Sequence, residues 1–279
     1  MNGDQRDLVI VMAGDNSLHE KIAEDREYDL WIVYYGGSDD VAARYEASCD
    51  RLWRLKGLKI ELIRSLLLEH LHFGQAFDFA GRYRYVFLPD DDIDFPGGTG
   101  DVHDLFEHAA RLQADSFQPA ISNDNVSFGE TRQIPGAFCH RVSWVENMMP
   151  AYTGELFVHA FLAGVHALDF LRSGWGLESV AMKLGEARLG RGLRTFVIDV
   201  TPVVHTRPVG RNSVVHEVGW DERLLLPQVD TNPCRTLGVY TRPEDVTDDL
   251  RPLPRSKTAI ALSMQKVRHM RKLWKNLIE

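Results

Sequence analysis

Between Tyr85 and Asp94 the chain reads Tyr85-Val86-Phe87-Leu88-Pro89-Asp90-Asp91-Asp92-Ile93-Asp94. Four consecutive apolar residues, aromatic and β-branched among them, predict a strand buried on both faces. Pro89 has no N–H to give a ladder and predicts the strand's end. Four carboxylates then fall within five positions. Packed so closely, they repel one another unless something positive neutralises them. In an extended segment alternate side chains project alike, so Asp90 and Asp92 are placed to converge on one cation. An oxygen-rich site of this kind suits Mg2+ or Mn2+. The alternative is a solvated acidic turn at a strand end.

To either side, strands and helices alternate. Leu8–Ala13, ended by Gly14, and Leu30–Tyr35, ended by Gly36-Gly37, are further continuous apolar runs. Val41–Lys56 carries Val41, Tyr45, Cys49, Leu52 and Trp53 at helical spacing. Over 58–73 the helical face Ile60, Ile63, Leu67 and Leu71 outweighs a shorter alternation, predicting a helix. Asp101 is expected to cap a helix with Val102, Leu105, Phe106, Ala109 and Leu112 inward. Phe117–Ser122 reads as a strand. Thr153 is expected to cap a long helix over 154–172, which Ser173-Gly174-Trp175-Gly176 breaks. A helix near 178–188 and a strand Thr195–Val200 follow. Alternation of this kind predicts an α/β sheet covered on both faces, with ligands where strands end.

The 279 residues hold 40 acidic and 32 basic side chains, a net charge of −8. With 44% apolar and 26% charged residues, disorder is excluded. Net acidity argues against a nucleic-acid partner. Cys49, Cys139 and Cys234 fit neither a disulfide framework nor a zinc cluster, which points to a reducing compartment. No secretory leader and no run of apolar residues long enough to span a membrane is present, so the expected location is the cytoplasm. Residues 1–226 read as the body of the protein. Residues 227–254 hold five of the twelve prolines and read as an extended arm or linker. Residues 255–279 carry seven Lys/Arg and one acid. Ile260, Met264, Val267, Met270, Trp274 and Leu277 form a helical stripe there. The net +6 of this basic amphipathic helix leaves the rest of the chain at −14. Such a helix suits peripheral contact with the inner face of a membrane, or docking onto a second subunit.

Two further segments carry chemistry. In Ser173-Gly174-Trp175-Gly176-Leu177-Glu178, two glycines let the backbone pass close to a ligand. Trp175 offers a flat face for a sugar ring, and Glu178 supplies a carboxylate beside it. The alternative is a helix–helix turn with a core Trp. In Val203-Val204-His205-Thr206-Arg207, His205 is a candidate metal ligand, and Arg207 and Arg211 could balance phosphate charge.

The ordered trio of strand–Asp-x-Asp, Gly-Trp-Gly-x-Glu and a late His resembles the metal-dependent, nucleotide-sugar glycosyltransferases of the GT-A fold. SGWGLE (173–178) resembles a segment of inverting galactosyltransferases. The run KGLKIELI, YVFLPDDDI, FQPAIS, VENMMPAY, GWGLE and VVHT is similar to a plant and bacterial glycosyltransferase-like family gathered under a domain of unknown function. The resemblance spans about residues 8–210. It implies a Rossmann-like, mixed and mostly parallel sheet flanked by helices, with 1–226 as the catalytic domain. Asp92 and His205 would be the metal ligands, for Mn2+ or Mg2+. Asp90 or Asp91 would hold the ribose or assist the metal, Gly14 and Asp15 would lie by the base, and Lys59 would face the base or diphosphate. Trp175 would meet the sugar or acceptor. Glu178 would be the general base. Ser179-Val180 stands where the galactosyltransferases carry further carboxylates, which keeps Asp169 and Glu155 open as substitutes.

The implied activity is a hexosyltransferase moving a sugar from a nucleotide-diphosphate donor, a UDP-sugar, to a glycan or lipid-linked acceptor with inversion. Surface polysaccharide synthesis is the expected setting. The alternatives are a metal-dependent phosphohydrolase or nucleotidyltransferase built on the acidic cluster, and a non-catalytic carbohydrate- or Ca2+-binding module.

Overall fold

The computed structural model describes residues 5–66, 78–208 and 234–246. Two apolar runs become β1 (Arg6–Ala13) and β2 (Asp29–Tyr34), and after α1 (Asp39–Ser48) comes a short edge strand β3 (Arg51–Arg54). The helix expected over 41–56 is therefore halved. Asp50 accepts a hydrogen bond from the Leu30 N–H at 2.7 Å and starts the pairing of β3 with β2. The helix expected over 58–73 begins as α2 (Lys59–Arg64), and its second half lies outside the described residues. After α3 (Phe79–Arg82), the decisive run forms β4 (Tyr83–Phe87), with a short β5 (Ile93–Asp94) beyond the aspartates.

α4 (Thr99–Arg111) is capped by Gly98 rather than Asp101. The Asp101 carboxylate instead accepts the Gly97 N–H at 2.6 Å from within the first turn. Then follow β6 (Ser116–Ile121), β7 (Cys139–Val142) and β8 (Ala151–Thr153). Thr153 caps the next helix through its hydroxyl, as expected. That helix is shorter than 154–172. It runs as α5 (Gly154–Leu156), a wide π-type stretch Phe157–Leu162 and α6 (Ala163–Ala167). The Leu168 and Leu171 carbonyls beyond it are taken by the Arg64 guanidinium at 3.3 and 2.8 Å.

α7 (Leu177–Leu189) leads into β9 (Thr195–His205), five residues longer than expected. A register irregularity opposite β6 accommodates Pro202. Within the Pro-rich arm, β10 (Thr236–Tyr240) pairs antiparallel with β7. The remainder of the arm and the basic segment 255–279 lie outside the described residues, as does Arg211.

The sheet order is β10-β7-β9-β6-β8-β4-β1-β2-β3, with β5 attached to β9. Only β7 and β8 run against the others on that path, so the sheet is mixed and mostly parallel. Both of its faces are buried. Leu8, Ile10 and Met12 pack in one apolar cluster with the helices α5–α7, while Val9, Val11 and Ala13 pack in another with α4. The chain builds β2 and β3 on one side of β1 and places β4 on the other. The crevice outside the ends of β1 and β4 is thus the point where the strand order reverses, the usual place for a ligand in such sheets. Among the described residues no helix is long and apolar enough to cross a membrane.

Candidate active site

Each carboxylate of the acidic run has its own partner. Asp90 accepts from the Lys59 ammonium at 2.6 Å. Buried Asp91 accepts, on one oxygen, both the Gly14 N–H and the Tyr35 hydroxyl, each at 2.8 Å. Asp92 faces the His205 Nε2 at 3.4 Å. Asp94 pairs with Lys21 at 2.6 Å. The mutual repulsion anticipated from the sequence is thus relieved one group at a time. Asp90 and Asp92 are held by different cations, and the pair that comes together is Asp92 and His205.

Backbone pairing makes that meeting. Ile93 lies opposite His205 in the β5–β9 ladder, and Thr206 donates its N–H and its hydroxyl to the Asp92 carbonyl at 3.0 and 2.8 Å. The Asn125 carbonyl, 2.9 Å from His205 Nδ1, can only accept. The ring therefore carries its proton on Nδ1 and turns Nε2 toward Asp92. Asp92 Oδ1 is buried with no hydrogen-bond partner among the described residues. A carboxylate oxygen without a partner beside an imidazole Nε2, which offers its lone pair once a metal displaces its proton, is a donor set that fits a divalent cation. Burial alone would raise the Asp92 carboxyl, but the His205 hydrogen bond and charge, with Arg207, outweigh it and hold it below the usual carboxylate range. Arg207 lies 3.7 Å from Asp91 and 4.0 Å from Asp92, exposed to solvent, where an anion could reach it. Among the described residues no group of three or more His, Cys, Asp and Glu side chains is arranged to hold a metal.

Lys59 reaches the site, but its three ammonium protons are taken by Asp90 and by the Leu88 and Met148 carbonyls, at 2.6, 2.7 and 2.8 Å. It clamps the end of β4 to the segment before β8 and leaves no proton for a base or diphosphate. Burial lifts the Asp90 carboxyl to about 6, against the lowering effect of Lys59. Gly14 touches the acidic run directly. Exposed Asp15 instead accepts from the Tyr34 hydroxyl and from the Gly37 and Ser38 N–H groups, so it shapes the loop after β2.

The second half of the site is the Gly-Trp-Gly turn. Gly174 has φ +86°, and a Cβ there would lie 2.7 Å from Ile60 Cγ1, so the tight approach to α2 requires glycine. The same helix thereby carries Lys59 against the aspartates and Ile60 against the turn. Trp175 is half-buried at the turn. Glu178, in the first turn of α7, is buried and accepts the Gly176 N–H at 2.9 Å. Burial pushes its carboxyl up to about 7, with the Glu146 charge adding to the rise. Glu155, one substitute base, is half-buried and paired with Arg188 at 3.0 Å. Asp169, the other, is half-buried in the turn after α6.

Glu146 and Asn147 are site residues that the sequence reading did not single out. Glu146 is buried, and burial lifts it to about 7; Asp90, His205, Lys59 and Glu178 are the charged groups that act with it. Asn147 donates its side-chain amide to the Gly174 carbonyl. Both lie in VENMMPAY, where an acid and an amide among apolar residues were the available signal.

No family model and no curated protein sequence matches the chain. Among solved structures it is similar to S. aureus TarS, at 14% identity over 71% of this chain and 59% of that one, with a TM-score of 0.45. It is also similar to glucosyl-3-phosphoglycerate synthase from Mycobacterium tuberculosis in complex with Mn2+, UDP and glucosyl-3-phosphoglycerate. That match has 14% identity over 78% and 76% of the two chains and a TM-score of 0.42. A third is 4-diphosphocytidyl-2C-methyl-D-erythritol synthase, at 17% identity over 80% and 100%, with a TM-score of 0.40. Likenesses this distant carry no functional inference, which rests on the site itself.

Proposed function

We propose that the chain is a metal-dependent glycosyltransferase of the GT-A type, moving a sugar from a UDP-sugar to a hydroxyl of a glycan or lipid-linked acceptor. The observation that carries the reading is the Asp92–His205 pair at the point where the strand order reverses, coupled through Glu146 to a buried carboxyl, Glu178, lifted to about 7.

Asp92 and His205 would hold Mn2+ or Mg2+. Lewis-acid stabilisation of the departing diphosphate is the chemistry that a divalent cation supplies when bound there. The exposed Arg207 guanidinium adds a second positive group beside the same phosphates. Gly14 and Asp91, bonded to each other, close the floor under the nucleotide. Trp175 offers its face to the sugar or acceptor. Glu178 takes the proton of the attacking hydroxyl, and a carboxyl tuned near neutrality is suited to that transfer. A single displacement with inversion follows if Glu178 and the diphosphate lie on opposite faces of the sugar. In this reading the enzyme is a hexosyltransferase of surface polysaccharide synthesis, working at the cytoplasmic side of a membrane.

A phosphohydrolase built on the acidic run needs an aspartate free to attack phosphorus. Asp90 is instead bonded to Lys59, and Asp91 to Gly14 and Tyr35.

A thermal-shift screen of nucleotide sugars with Mn2+ tests the proposal, because a specific donor stabilises by mass action. The expected result is a rise in melting temperature with one family of nucleotide diphosphates, dependent on the metal. No response to any of them would refute it.

A further inference from the structure

Three buried polar atoms, on two adjacent residues and on a third bonded to one of them, have no hydrogen-bond partner among the described residues. Glu146 has a hydrogen bond to Ser127, yet its Oε2 has no partner among the described residues. Asn147 donates its amide to Gly174 and leaves Oδ1 without one. Gln118 accepts the Glu146 N–H on Oε1 at 2.7 Å and leaves Nε2 without one. All three side chains are at least nine-tenths buried, at 5%, 9% and 0% exposure. Buried polar groups in folded proteins are nearly always hydrogen-bonded, so three exceptions on two adjacent residues and the residue bonded to them call for an explanation.

Their position supplies one. Asp90, His205 and Lys59, which stand at the cation pair, act on the Glu146 charge, and Glu146 acts on that of Glu178. Glu146 is thus within electrostatic reach of both the cation pair and the proposed base, the two groups that a bound donor would span. In a sugar transfer the spanning part of the donor is its sugar ring, whose hydroxyls each donate and accept. The three atoms offer a matching set: the Asn147 oxygen accepts, the Gln118 nitrogen donates, and the Glu146 oxygen accepts when the carboxyl is ionised.

We infer that Glu146, with Asn147 and Gln118, forms the subsite that binds the hydroxyl groups of the transferred sugar, an assignment resting on the glycosyltransferase reading. Glu146 is thereby a specificity-determining residue. A site built to hydrogen-bond a hydroxyl rejects the analogue that lacks it, because its own buried groups are left unpaired.

The test is a cycle of substitution against hydroxyl deletion, measured on the full chain with Mn2+ by calorimetry. The ligands are UDP, UDP-glucose, UDP-galactose, UDP-N-acetylglucosamine and the singly deoxygenated forms of whichever sugar binds tightest. Wild type is expected to lose about tenfold or more in affinity for one deoxy form, and Glu146→Gln to lose about as much for the intact sugar. Combining the two should cost little further, while UDP alone keeps its affinity. Additive losses on every deoxy form, or none from Glu146→Gln, overturn the subsite while leaving the enzyme reading intact. Failure of wild type to bind UDP overturns both. Should Glu146→Gln melt early, Gln118→Glu takes its place in the cycle, with the same non-additivity expected and the same additivity overturning the subsite.

Discussion

The Gly14 N–H and the Asp91 carboxylate meet at 2.8 Å, joining the end of β1 to the acidic run that follows β4. Tyr35, beyond β2, donates to the same oxygen. One carboxylate thus ties three parallel strands together at the mouth of the crevice. Asp91→Ala leaves a buried N–H and a hydroxyl without an acceptor and is expected to cost about 2–4 kcal/mol. Tyr35→Phe removes one neutral donor and is expected to cost about 1 kcal/mol. Urea unfolding of the two variants measures both, and equal costs would contradict this division of labour.

As the proposed general base, Glu178 would give the reaction its pH dependence. With the carboxyl lifted to about 7, the base is unprotonated only above that range, so kcat is expected to rise as pH passes through about 7. Glu178→Gln should lower kcat by about 10²–10⁴-fold with little change in donor binding. The Glu146 charge contributes to the lift, so Glu146→Gln should move the rising limb to lower pH. A limb that stays in place would separate the two residues.

The same pair makes stability pH-dependent. Both carboxyls have folded values near 7, above an unfolded value of 4.5. The folded state holds their protons longer, so their contribution is fully present below the unfolded value and is lost as pH rises to about 7. Glu146→Gln should therefore unfold like wild type at acid pH and be more stable by about 1–3 kcal/mol at mildly alkaline pH. Urea titrations at the two extremes test this, and a shift of the same size at both would contradict it.

Much of this was legible in the chain, because buried strands announce themselves as continuous apolar runs and Pro89 marks where the ladder stops. Asp92 and His205 could be picked out singly, since an acidic run and a late histidine each follow a strand. Their proximity depends on β5, two residues long, and on a β9 that continues past Pro202, and neither has a periodic signature. Lys59 stands at the site as expected but in a different role. Only the structure reveals that two main-chain carbonyls and Asp90 take its protons. Glu146 shows in the sequence only as an acid among apolar residues, because its significance lies in burial and in an oxygen without a partner, which composition does not encode.

Gly174 couples α2 to the Gly-Trp-Gly turn. Its φ of +86° and the 2.7 Å approach of a notional Cβ to Ile60 mean that Gly174→Ala must displace either the turn or the helix. A loss of about 1–3 kcal/mol is expected, along with a fall in kcat larger than Gly100→Ala causes on α4, where a Cβ meets nothing. Equal kinetics for the two variants would show that the turn does not position Glu178.

In the proposed enzyme Asp92 and His205 hold a divalent cation for a nucleoside diphosphate. Calorimetric titration of UDP into the full chain, with Mn2+ and with chelator, tests it most directly, alongside Asp92→Asn and His205→Ala. Metal-dependent binding is expected, weakened about 10–100-fold or more by either substitution. Binding that is indifferent to the metal, or unchanged in both variants, would contradict it.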